Sequence, residues 1–319
     1  MTVLVLARNF DPTADAVVAA LAEQRVPVFR TDLAAFPRHL RLDARLRCGR
    51  WTGHLANDHH SVVLEDIRSI WHRHPGRYEF DESLPAAQQE FCYTEARLGL
   101  GGVLASLDVL WANHPNRCAD AIFKPYQWTL AAECGLAVAD TVITNDWHCA
   151  RRFTGDAPGE VITKALGPAG ITEGGQVKVA YTRRLSAEDL AEPEAVSATA
   201  TTLQHFVPKA FEVRLTVIGP QMFPIAIHAS TQAARTDWRC DPAALRYEVV
   251  CLPDTVAQGV WRYMRQTNLA YAGFDFVVTP EGQWVMLEAN TSPQIGWLQA
   301  VTGAAMVGAM AAMLAKGAT

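Results

Sequence analysis

The chain has 319 residues, a length that suggests two or three lobes and not one compact core. Half of the residues are hydrophobic and 19% are charged, which argues against long disordered tracts. The 28 Lys and Arg residues against 33 Asp and Glu give a net charge of −5, so bulk nucleic acid is not expected as the main partner.

The cysteine pattern and the two ends of the chain predict a cytoplasmic protein. Seven scattered cysteines form no CxxC pair, which is typical of reduced thiols and not of a disulfide framework or a zinc site. The first residues run straight into an apolar strand and lack the basic segment of a secretory signal. The tail from Leu298 to Leu314 is too weakly apolar to insert into a membrane, so we expect a C-terminal helix packed through small residues.

The first third of the chain begins with a strand–helix–strand pattern, which predicts an α/β lobe with a parallel sheet. A short apolar run, a helical pattern and a second apolar run occupy Val3–Leu6, Ala14–Gln24 and Val26–Phe29. Alternation predicts a half-exposed strand over Leu40–Cys48. The elements expected before the turn at Asn113-His114-Pro115 are a strand over Ile67–Trp71, a helix over Leu84–Leu107 and a strand over Val109–Ala112.

The remaining two thirds are predicted as mixed helices and strands, with most strands near the end. Expected helices cover Arg117–Cys134 and Asp254–Asn268, and Asn145 and Asp146 are predicted to cap a further helix. The predicted strands cover Thr141–Thr144, Glu160–Lys164, Val177–Tyr181, Phe211–Ile218, Met222–His228, Arg246–Cys251, Ala272–Val278 and Trp284–Ala289.

The strongest signal for a site is a hairpin near the end of the chain. Two apolar runs flank Pro280-Glu281-Gly282-Gln283, which predicts a turn between two strands. With the central Glu-Gly pair as a two-residue turn, Asp275 lies directly opposite Glu288, and Asn290 projects from the same face as Glu288. A different loop length would shift this register.

Two carboxylates that face each other across a hairpin repel and weaken it unless something neutralises them. A solvated polar face is the ordinary explanation for such acids. In the expected register, the acids share their face with Val277, Trp284 and Met286, and the opposite face carries Phe274, Phe276, Val285 and Leu287. Two carboxylates and an amide oxygen suit a hard ion, so we predict a Mg²⁺ site at Asp275, Glu288 and Asn290.

Two lysines are candidate phosphate ligands, although the sequence has no Walker or GxGxxG motif. Lys164 ends the run Val161-Ile162-Thr163 and precedes the glycine-rich segments Gly167-Pro168-Ala169-Gly170 and Gly174-Gly175. A lysine beside a loop of exposed amides suits a phosphate clamp, but the same loop is also typical of an ordinary hairpin connection. Lys124 is an isolated lysine, for which surface exposure is the default interpretation.

The segment Phe211–Val217 alternates and places Glu212, Arg214 and Thr216 on one face. An acid and a guanidinium two residues apart either decorate a solvated sheet or, beside a nucleotide, bind ribose hydroxyls and phosphate oxygens. Arg235 and Arg239 add further anion donors in a predicted loop, and either interpretation is open for them.

Taken in order, these features resemble the ATP-grasp superfamily over essentially the whole chain. The order is an early lysine, a lysine before a glycine-rich loop, a hinge at Gln204-His205-Phe206-Val207, the Glu212/Arg214 strand, and Asp275 followed by Glu288-x-Asn290. The sequence looks most similar to the ATP-grasp ribosomal peptide maturases, the microviridin-type or graspetide synthetases. The segments that carry this resemblance are Trp71-His72-Arg73-His74-Pro75, Val109-Leu110-Trp111-Ala112-Asn113-His114-Pro115, Lys124 to Gln127, Thr141-Val142-Ile143-Thr144-Asn145-Asp146 and Leu287-Glu288-Ala289-Asn290.

The resemblance implies a fold with α/β and α+β parts, in which a nucleotide binds between two antiparallel sheets. It implies an N-terminal pre-ATP-grasp lobe at 1–114, a central lid lobe with the glycine-rich loop at 115–203, and a C-terminal lobe with the metal site at 204–319. The chain also departs from the family pattern. Arginine is common where His74 stands, proline where Ala139 stands, and a glycine-containing turn where Thr291-Ser292-Pro293-Gln294 stands.

The resemblance also implies roles for the site residues. Lys124 and Lys164 would contact the phosphates of ATP, and Glu212 would lie near the ribose. Backbone groups of Gln204, His205, Phe206 and Val207 would contact the adenine. Asp275, Glu288 and Asn290 would bind Mg²⁺, and Arg214 would face the reacting phosphoryl group. As further anion donors, Arg235 and Arg239 are predicted beside the resemblance to be catalytic.

The implied activity is the ATP-dependent cyclisation of a ribosomal precursor peptide that binds through its leader and core. An Asp or Glu side chain would become an acyl phosphate, and a Thr, Ser or Lys side chain of the same peptide would close a macrolactone or macrolactam. One alternative is a ligase that joins an amino acid to a peptide, protein or small carboxylate, as in glutathione-synthetase-like or ribosomal-protein-glutamylating relatives. Another is a non-catalytic binding module. No nucleic acid or membrane partner is expected, and relatives of this type suggest a homodimer.

Overall fold

The first third of the chain forms an α/β lobe, as its sequence predicts. The computed structural model describes residues 1–167, 170–174, 176–186 and 188–318. The elements of this lobe are β1 (Thr2–Ala7), α1 (Pro12–Glu23), β2 (Val28–Thr31), β3 (Leu40–Arg47), β4 (Arg50–Asn57), β5 (Ser61–Val63), β6 (Ile67–Arg73), α2 (Ala86–Ala105) and β7 (Leu110–Ala112). The order β2-β1-β6-β7 makes a parallel sheet, and β3-β4-β5 make a separate antiparallel one.

Strand β1 is apolar from Val3 to Ala7 because both of its edges and both of its faces are covered there. It pairs with β2 and β6, and its residues Val3–Ala7 divide between two hydrophobic clusters and are at most 1% exposed. Helix α1 follows Asp11, whose side chain accepts a hydrogen bond from the Ala14 amide. The strand predicted to begin at Val26 begins at Val28, because the Val26 amide donates to the Leu21 carbonyl at the end of α1.

The middle of the chain contributes to two lobes. Its elements are α3 (Pro115–Ala121), α4 (Lys124–Glu133), β8 (Ala137–Val138), β9 (Thr141–Thr144), α5 (Trp147–Gly155), β10 (Val161–Thr163), β11 (Gly170–Glu173), β12 (Gln176–Val179), β13 (Arg183–Arg184), α6 (Pro193–Ser197) and β14 (Thr201–His205). The elements α3, α4 and β8 pack in the core of the last third, whereas those from β9 to β14 form the central lobe around a small core of their own. The order β13-β10-β14-β9 makes an antiparallel sheet, and β11 pairs with β12 in a separate hairpin.

Two sequence predictions in this part of the chain need comment. The single helix predicted over Arg117–Cys134 is wrong, because Pro125 has no amide hydrogen to donate and lies in the first turn of a new helix, α4. Asp146 caps α5 as predicted, since its side chain accepts a hydrogen bond from the His148 amide. Within the glycine-rich segment, Pro168, Ala169 and Gly175 lie outside the described residues.

The last third builds a six-stranded sheet. Its elements are β15 (Phe211–Ile218), β16 (Gln221–Ala229), α7 (Gln232–Thr236), β17 (Leu245–Val249), α8 (Asp254–Thr267), β18 (Tyr271–Val278), β19 (Trp284–Asn290), α9 (Gly296–Thr302) and α10 (Met306–Lys316). The order is β17-β16-β15-β18-β19-β8, antiparallel except for the last pair. The single helix predicted over Leu298–Leu314 is two helices, because α9 ends at Gly303 with a φ of 72°.

Helix α10 closes the molecule by returning to the first lobe. Its buried residues Met306, Met310 and Leu314 share one hydrophobic cluster with Val3 and Val5 of β1. It packs against α1 and β6, so the first and last thirds of the chain have a continuous core. No helix in the described part of the chain has the length and apolar character needed to span a membrane. All seven cysteines are free thiols.

Candidate active site

Strands β18 and β19 bring Asp275 opposite Glu288, which confirms the predicted pairing. The predicted two-residue turn is wrong. Residues 279–283 form the connection, where the Gly282 amide donates to the Thr279 carbonyl and the Thr279 amide donates to the Gln283 carbonyl. This longer loop shifts the register by one residue, and a β-bulge between Met286 and Glu288 shifts it back. The acids therefore face each other because of the bulge.

The bulge also changes which apolar residues accompany the acids. Trp284 and Met286 pack with Phe274 and Phe276 in the core beneath the sheet, whereas Leu287 lines the same cavity as Asp275. The prediction that placed Met286 and Trp284 with the acids was wrong, as was the one that placed Leu287 and Val285 with the phenylalanines. Val285 pairs with the cavity-lining Val277. An inserted residue reverses the alternation of every side chain on one side of it.

Each acid has a basic partner from a different element. Arg214 on β15 is next to Asp275 in the sheet register, and its Nε and Nη2 lie 2.5 and 3.1 Å from the two carboxylate oxygens. Lys124, at the start of α4, places its Nζ 2.9 Å from Glu288 Oε2. The Asn290 Nδ2 lies 3.3 Å from an oxygen of each acid. The three predicted ligand residues therefore converge at one point.

Burial and neighbouring opposite charges shift the pKa values of these groups in opposite directions. Burial raises the pKa of Asp275, and the Arg214 charge opposes this only in part. Burial would also raise the pKa of Glu288, but the charges of Lys124, Lys164 and Arg214 together outweigh it, and the pKa falls below the ordinary value. Burial lowers the pKa of Lys164 from 10.5 to about 8, although the negative charge of Glu288 acts in the opposite sense.

The ligand set fits Mg²⁺. In the described part of the chain, no three His, Cys, Asp or Glu side chains converge as a metal cluster. The candidate set is two carboxylates and the Asn290 amide, which would turn its Oδ1 to a cation in place of the Nδ2 that faces the acids. Such an oxygen set suits an ion that completes its shell with water and phosphate oxygens. In this arrangement, Lys124 forms an ion pair with Glu288 and Arg214 forms one with Asp275.

The predicted site residues line one cavity, whose volume is about 850 Å³. Every one of them lines it except Arg235, whose exposed side chain instead donates to the Ala229 carbonyl. The residues on its wall are Lys124, Lys164, Gln204, His205, Phe206, Val207, Glu212, Arg214, Arg239, Asp275, Glu288 and Asn290. Its volume lies within the range of about 300–1,000 Å³ that is usual for cofactor pockets.

The hinge segment has some of its hydrogen-bonding groups already committed. The amides of His205 and Phe206 donate to the carbonyls of Asp140 and Glu160, and the buried Gln204 side chain donates to Thr141 Oγ1 at 2.7 Å. Contact with an adenine would therefore use the carbonyls of this segment or the backbone of Val207.

The comparisons with known proteins bear on the fold of the whole chain. Residues 2–118 match the family model of the MvdD pre-ATP-grasp domain. A RiPP-associated ATP-grasp ligase from Chryseobacterium gregarium, solved with ADP and a leader and core peptide, superposes with a TM-score of 0.91 at 24% identity, over 99% of this chain and 96% of that one. The chain has the fold of the ATP-grasp peptide maturases.

Two further maturases of this type are similar over their whole length. The macrocyclase MdnC from Microcystis aeruginosa, solved with the precursor peptide MdnA, is 25% identical over 99% of this chain and 100% of that chain, with a TM-score of 0.84. The macrocyclase MdnB from the same organism is 28% identical over 98% of each chain, with a TM-score of 0.79. No curated protein matches the chain in sequence. The predicted ATP-grasp fold class is thus confirmed.

Sequence reasoning missed two residues that hold predicted site residues. Lys209 forms an ion pair with Glu212, whose pKa is raised by burial despite this partner. Asp237 is 4% exposed and receives Arg239 Nε and Nη2 at 2.8 and 2.7 Å. It also accepts the Thr182 amide from the central lobe at 3.1 Å. Lys209 lies three residues before Glu212, and Asp237 lies two residues before Arg239. This short spacing was the signal in the sequence that could have found them.

Residues of the first and last lobes also line the cavity. His74 lines it together with Ser292, Gln294 and Trp297. The buried Arg73 places Nη1 2.9 Å from His74 Nδ1. Because a guanidinium only donates, Nδ1 accepts, and the neutral ring carries its hydrogen on Nε2. Burial lowers the pKa of His74, and the Arg73 charge lowers it further, so both favour this neutral form.

Proposed function

We propose that the protein is an ATP-dependent carboxylate ligase that cyclises a ribosomal precursor peptide through side-chain ester or amide bonds. One observation carries this proposal: a single cavity joins the acid pair and Asn290 to two lysines, two arginines and the hinge. The similarity to macrocyclases over the full chain length supports the peptide substrate, with its leader and core. The homodimer and the cytoplasmic location stay predictions.

The nucleotide end of the cavity provides binding and charge. Lys124 and Lys164 place two ammonium groups beside the acid pair, where they hold the phosphates of ATP. Glu212 accepts from the ribose hydroxyls, and the hinge backbone contacts the adenine. Mg²⁺ held by Asp275, Glu288 and Asn290 would offset the charge of the transferring phosphoryl group.

The remaining residues orient the carboxyl group and its acyl phosphate. An Asp or Glu carboxylate of the peptide attacks the γ-phosphorus, and ADP leaves with the bonding electron pair. Arg214 and Arg239 line the cavity and stabilise negative charge on the carboxylate and phosphoryl oxygens. A hydroxyl or amine of the same peptide then attacks the acyl carbon, loses its proton and displaces inorganic phosphate. Closure of the central lobe excludes water, which would otherwise hydrolyse the acyl phosphate.

The test combines the protein, ATP, Mg²⁺ and a candidate precursor encoded in a neighbouring short reading frame rich in Thr or Ser and Asp or Glu. Each closed ring removes one water from the peptide mass, whereas ligation to an amino acid adds mass. We expect Asp275→Asn and Glu288→Gln to lower peptide-dependent ATP turnover by more than about 100-fold, because each removes a charged ligand. Unchanged turnover in either variant would exclude the assigned role of that residue.

Glu281→Gln is the matched control. Glu281 is an exposed acid in the loop of the same hairpin, and it does not line the cavity. The same chemical change there should leave both turnover and ring formation as in the wild-type protein. Added mass in place of water loss would instead support the amino acid ligase.

A further inference from the structure

The outer edge of β19 is covered by two different elements. Strand β8 pairs with Val285 and Met286 only. From Leu287 onward, side chains of α4 hydrogen-bond the edge instead. The bulge that orients Glu288 lies at this change of partner. A strand edge that curves away from its neighbour needs other partners for its amides and carbonyls.

Gln127 substitutes for a neighbouring strand residue. Its Nε2 donates to the Ala289 carbonyl at 2.8 Å, and its Oε1 accepts from the Ala289 amide at 2.9 Å. The same Nε2 also donates to the Ala121 carbonyl at 2.7 Å, which joins α3 to this contact. Gln127 is 2% exposed, so water does not compete for these bonds.

Trp128 holds the bulge residue itself. Its Nε1 donates to the Leu287 carbonyl at 2.8 Å, and the side chain is almost fully buried. The face of its ring also receives Lys164, whose Nζ lies 5.0 Å from the ring centroid. One side chain therefore contacts both the strand that carries Glu288 and the lysine predicted to bind phosphate.

These contacts come from one face of one helix. Lys124, Gln127 and Trp128 are spaced i, i+3 and i+4, which places them side by side on α4. They contact Glu288, Ala289 and Leu287 respectively. Three successive residues of β19 are thus each held by this face, and the middle one is a predicted metal ligand.

We propose that Gln127 and Trp128 are positioning residues, which fix the bulge so that Glu288 is directed at the bound cation and Lys164 at the nucleotide phosphates. The proposal rests on the proposed function. Misplacing a ligand carboxylate weakens cation binding without removing any group that touches the nucleotide. The Mg²⁺-dependent part of nucleotide affinity is therefore the quantity that should change.

The test is calorimetric titration of ADP into the protein with Mg²⁺ and, separately, with EDTA. Trp128→Phe keeps a ring beneath Lys164 and removes the indole N–H. We expect the gain in ADP affinity on adding Mg²⁺ to fall by about 10- to 100-fold, with affinity in EDTA little changed. Trp128→Leu also removes the ring, so its affinity in EDTA should fall as well.

Trp147→Phe is the control. Trp147 donates its Nε1 to the Leu190 carbonyl at 2.8 Å, a hydrogen bond of the same kind and length in the central lobe. This variant should keep the full Mg²⁺-dependent gain. Gln127→Met provides a second variant on the same helix face, which removes the hydrogen bonds to Ala289 and has the same expected loss. Its result replaces that of Trp128→Phe if the latter does not fold.

The outcomes separate the two proposals. If the wild-type protein binds no ADP, the proposed function fails and this inference fails with it. If the wild-type protein gains affinity with Mg²⁺ and Trp128→Phe and Gln127→Met gain as much as Trp147→Phe, only the positioning role is overturned. A loss confined to Trp128→Phe and Gln127→Met supports it.

Discussion

Lys164 shows at the level of a single residue how a binding function opposes stability. Burial lowers its pKa to about 8, so the folded protein holds this charge at a cost. The unfolded chain keeps the ordinary value of 10.5 and binds more protons between these two values. The stability contributed by this group therefore rises with pH across that window, and the full cost applies below it. The negative charge of a nearby phosphate would offset the free energy lost by burying this charge, which explains a lysine at this position.

We expect Lys164→Met to unfold at the same or a higher urea concentration than the wild-type protein at neutral pH, and to lose ADP affinity. The difference in free energy of unfolding between the variant and the wild-type protein should shrink as the pH rises from about 8 towards 10.5. In this window the lysine of the folded wild-type protein is neutral, whereas that of the unfolded chain is still protonated. Urea denaturation at neutral and alkaline pH, with ADP titration, measures both effects. Lys316→Met, at the exposed end of α10, should change neither ADP binding nor the pH dependence.

At the level of elements, the hairpin of β18 and β19 depends on its loop as much as on its strands. The loop of residues 279–283 closes through Gly282, which has a φ of 84°. A side chain in this left-handed conformation is strained, although the space around Gly282 is open. The loop sets the register that the bulge then corrects, so loop and bulge together decide where Glu288 lies.

Gly282→Ala should lower the free energy of unfolding by about 1 kcal/mol, because only backbone strain is added. Gly308→Ala is the counterpart, since Gly308 lies within α10 with open space around it and no positive φ. That change should raise stability by about 0.5–1 kcal/mol, because alanine favours the helix. Urea denaturation compares the two. Equal effects of the same sign would contradict this account of the turn.

At the level of the whole molecule, Asn113 joins the first lobe to the last through side-chain hydrogen bonds. Its Nδ2 donates to the carbonyls of Tyr271 and Thr291 at 2.5 and 2.7 Å, and its Oδ1 accepts from the amides of Ala270 and Tyr271 at 2.8 and 3.1 Å. The side chain is 2% exposed. The sequence places a polar turn here, but the structure buries this residue between β7 and the start of β18.

Asn113→Ala should destabilise the protein by about 2–4 kcal/mol, because it leaves buried amides and carbonyls without partners. The first and last thirds also share a core, so we expect them to unfold in one transition at a lower urea concentration. Asn116→Ala, an exposed change in α3, should stay within about 0.5 kcal/mol of the wild-type protein. An Asn113→Ala protein as stable as this control would show that the contact does not contribute.

The sequence alone determined the features that depend on neighbouring residues. Strand alternation gave β15 with its observed bounds, and charge and amide chemistry pointed to Asp275, Glu288 and Asn290. The order of motifs led to the ATP-grasp fold, which the comparisons confirm. These features are readable because periodicity, turn chemistry and ligand type are local properties of the chain.

Only the tertiary structure decided which surfaces meet. The face of α4 that holds β19 consists of Lys124, Gln127 and Trp128, yet nothing in the local sequence says that it meets a strand more than 150 residues away. The exclusion of Arg235 from the cavity and the return of α10 to β1 have the same origin. Such contacts depend on the complementarity of surfaces that are distant in sequence, and this complementarity exists only once the elements are packed.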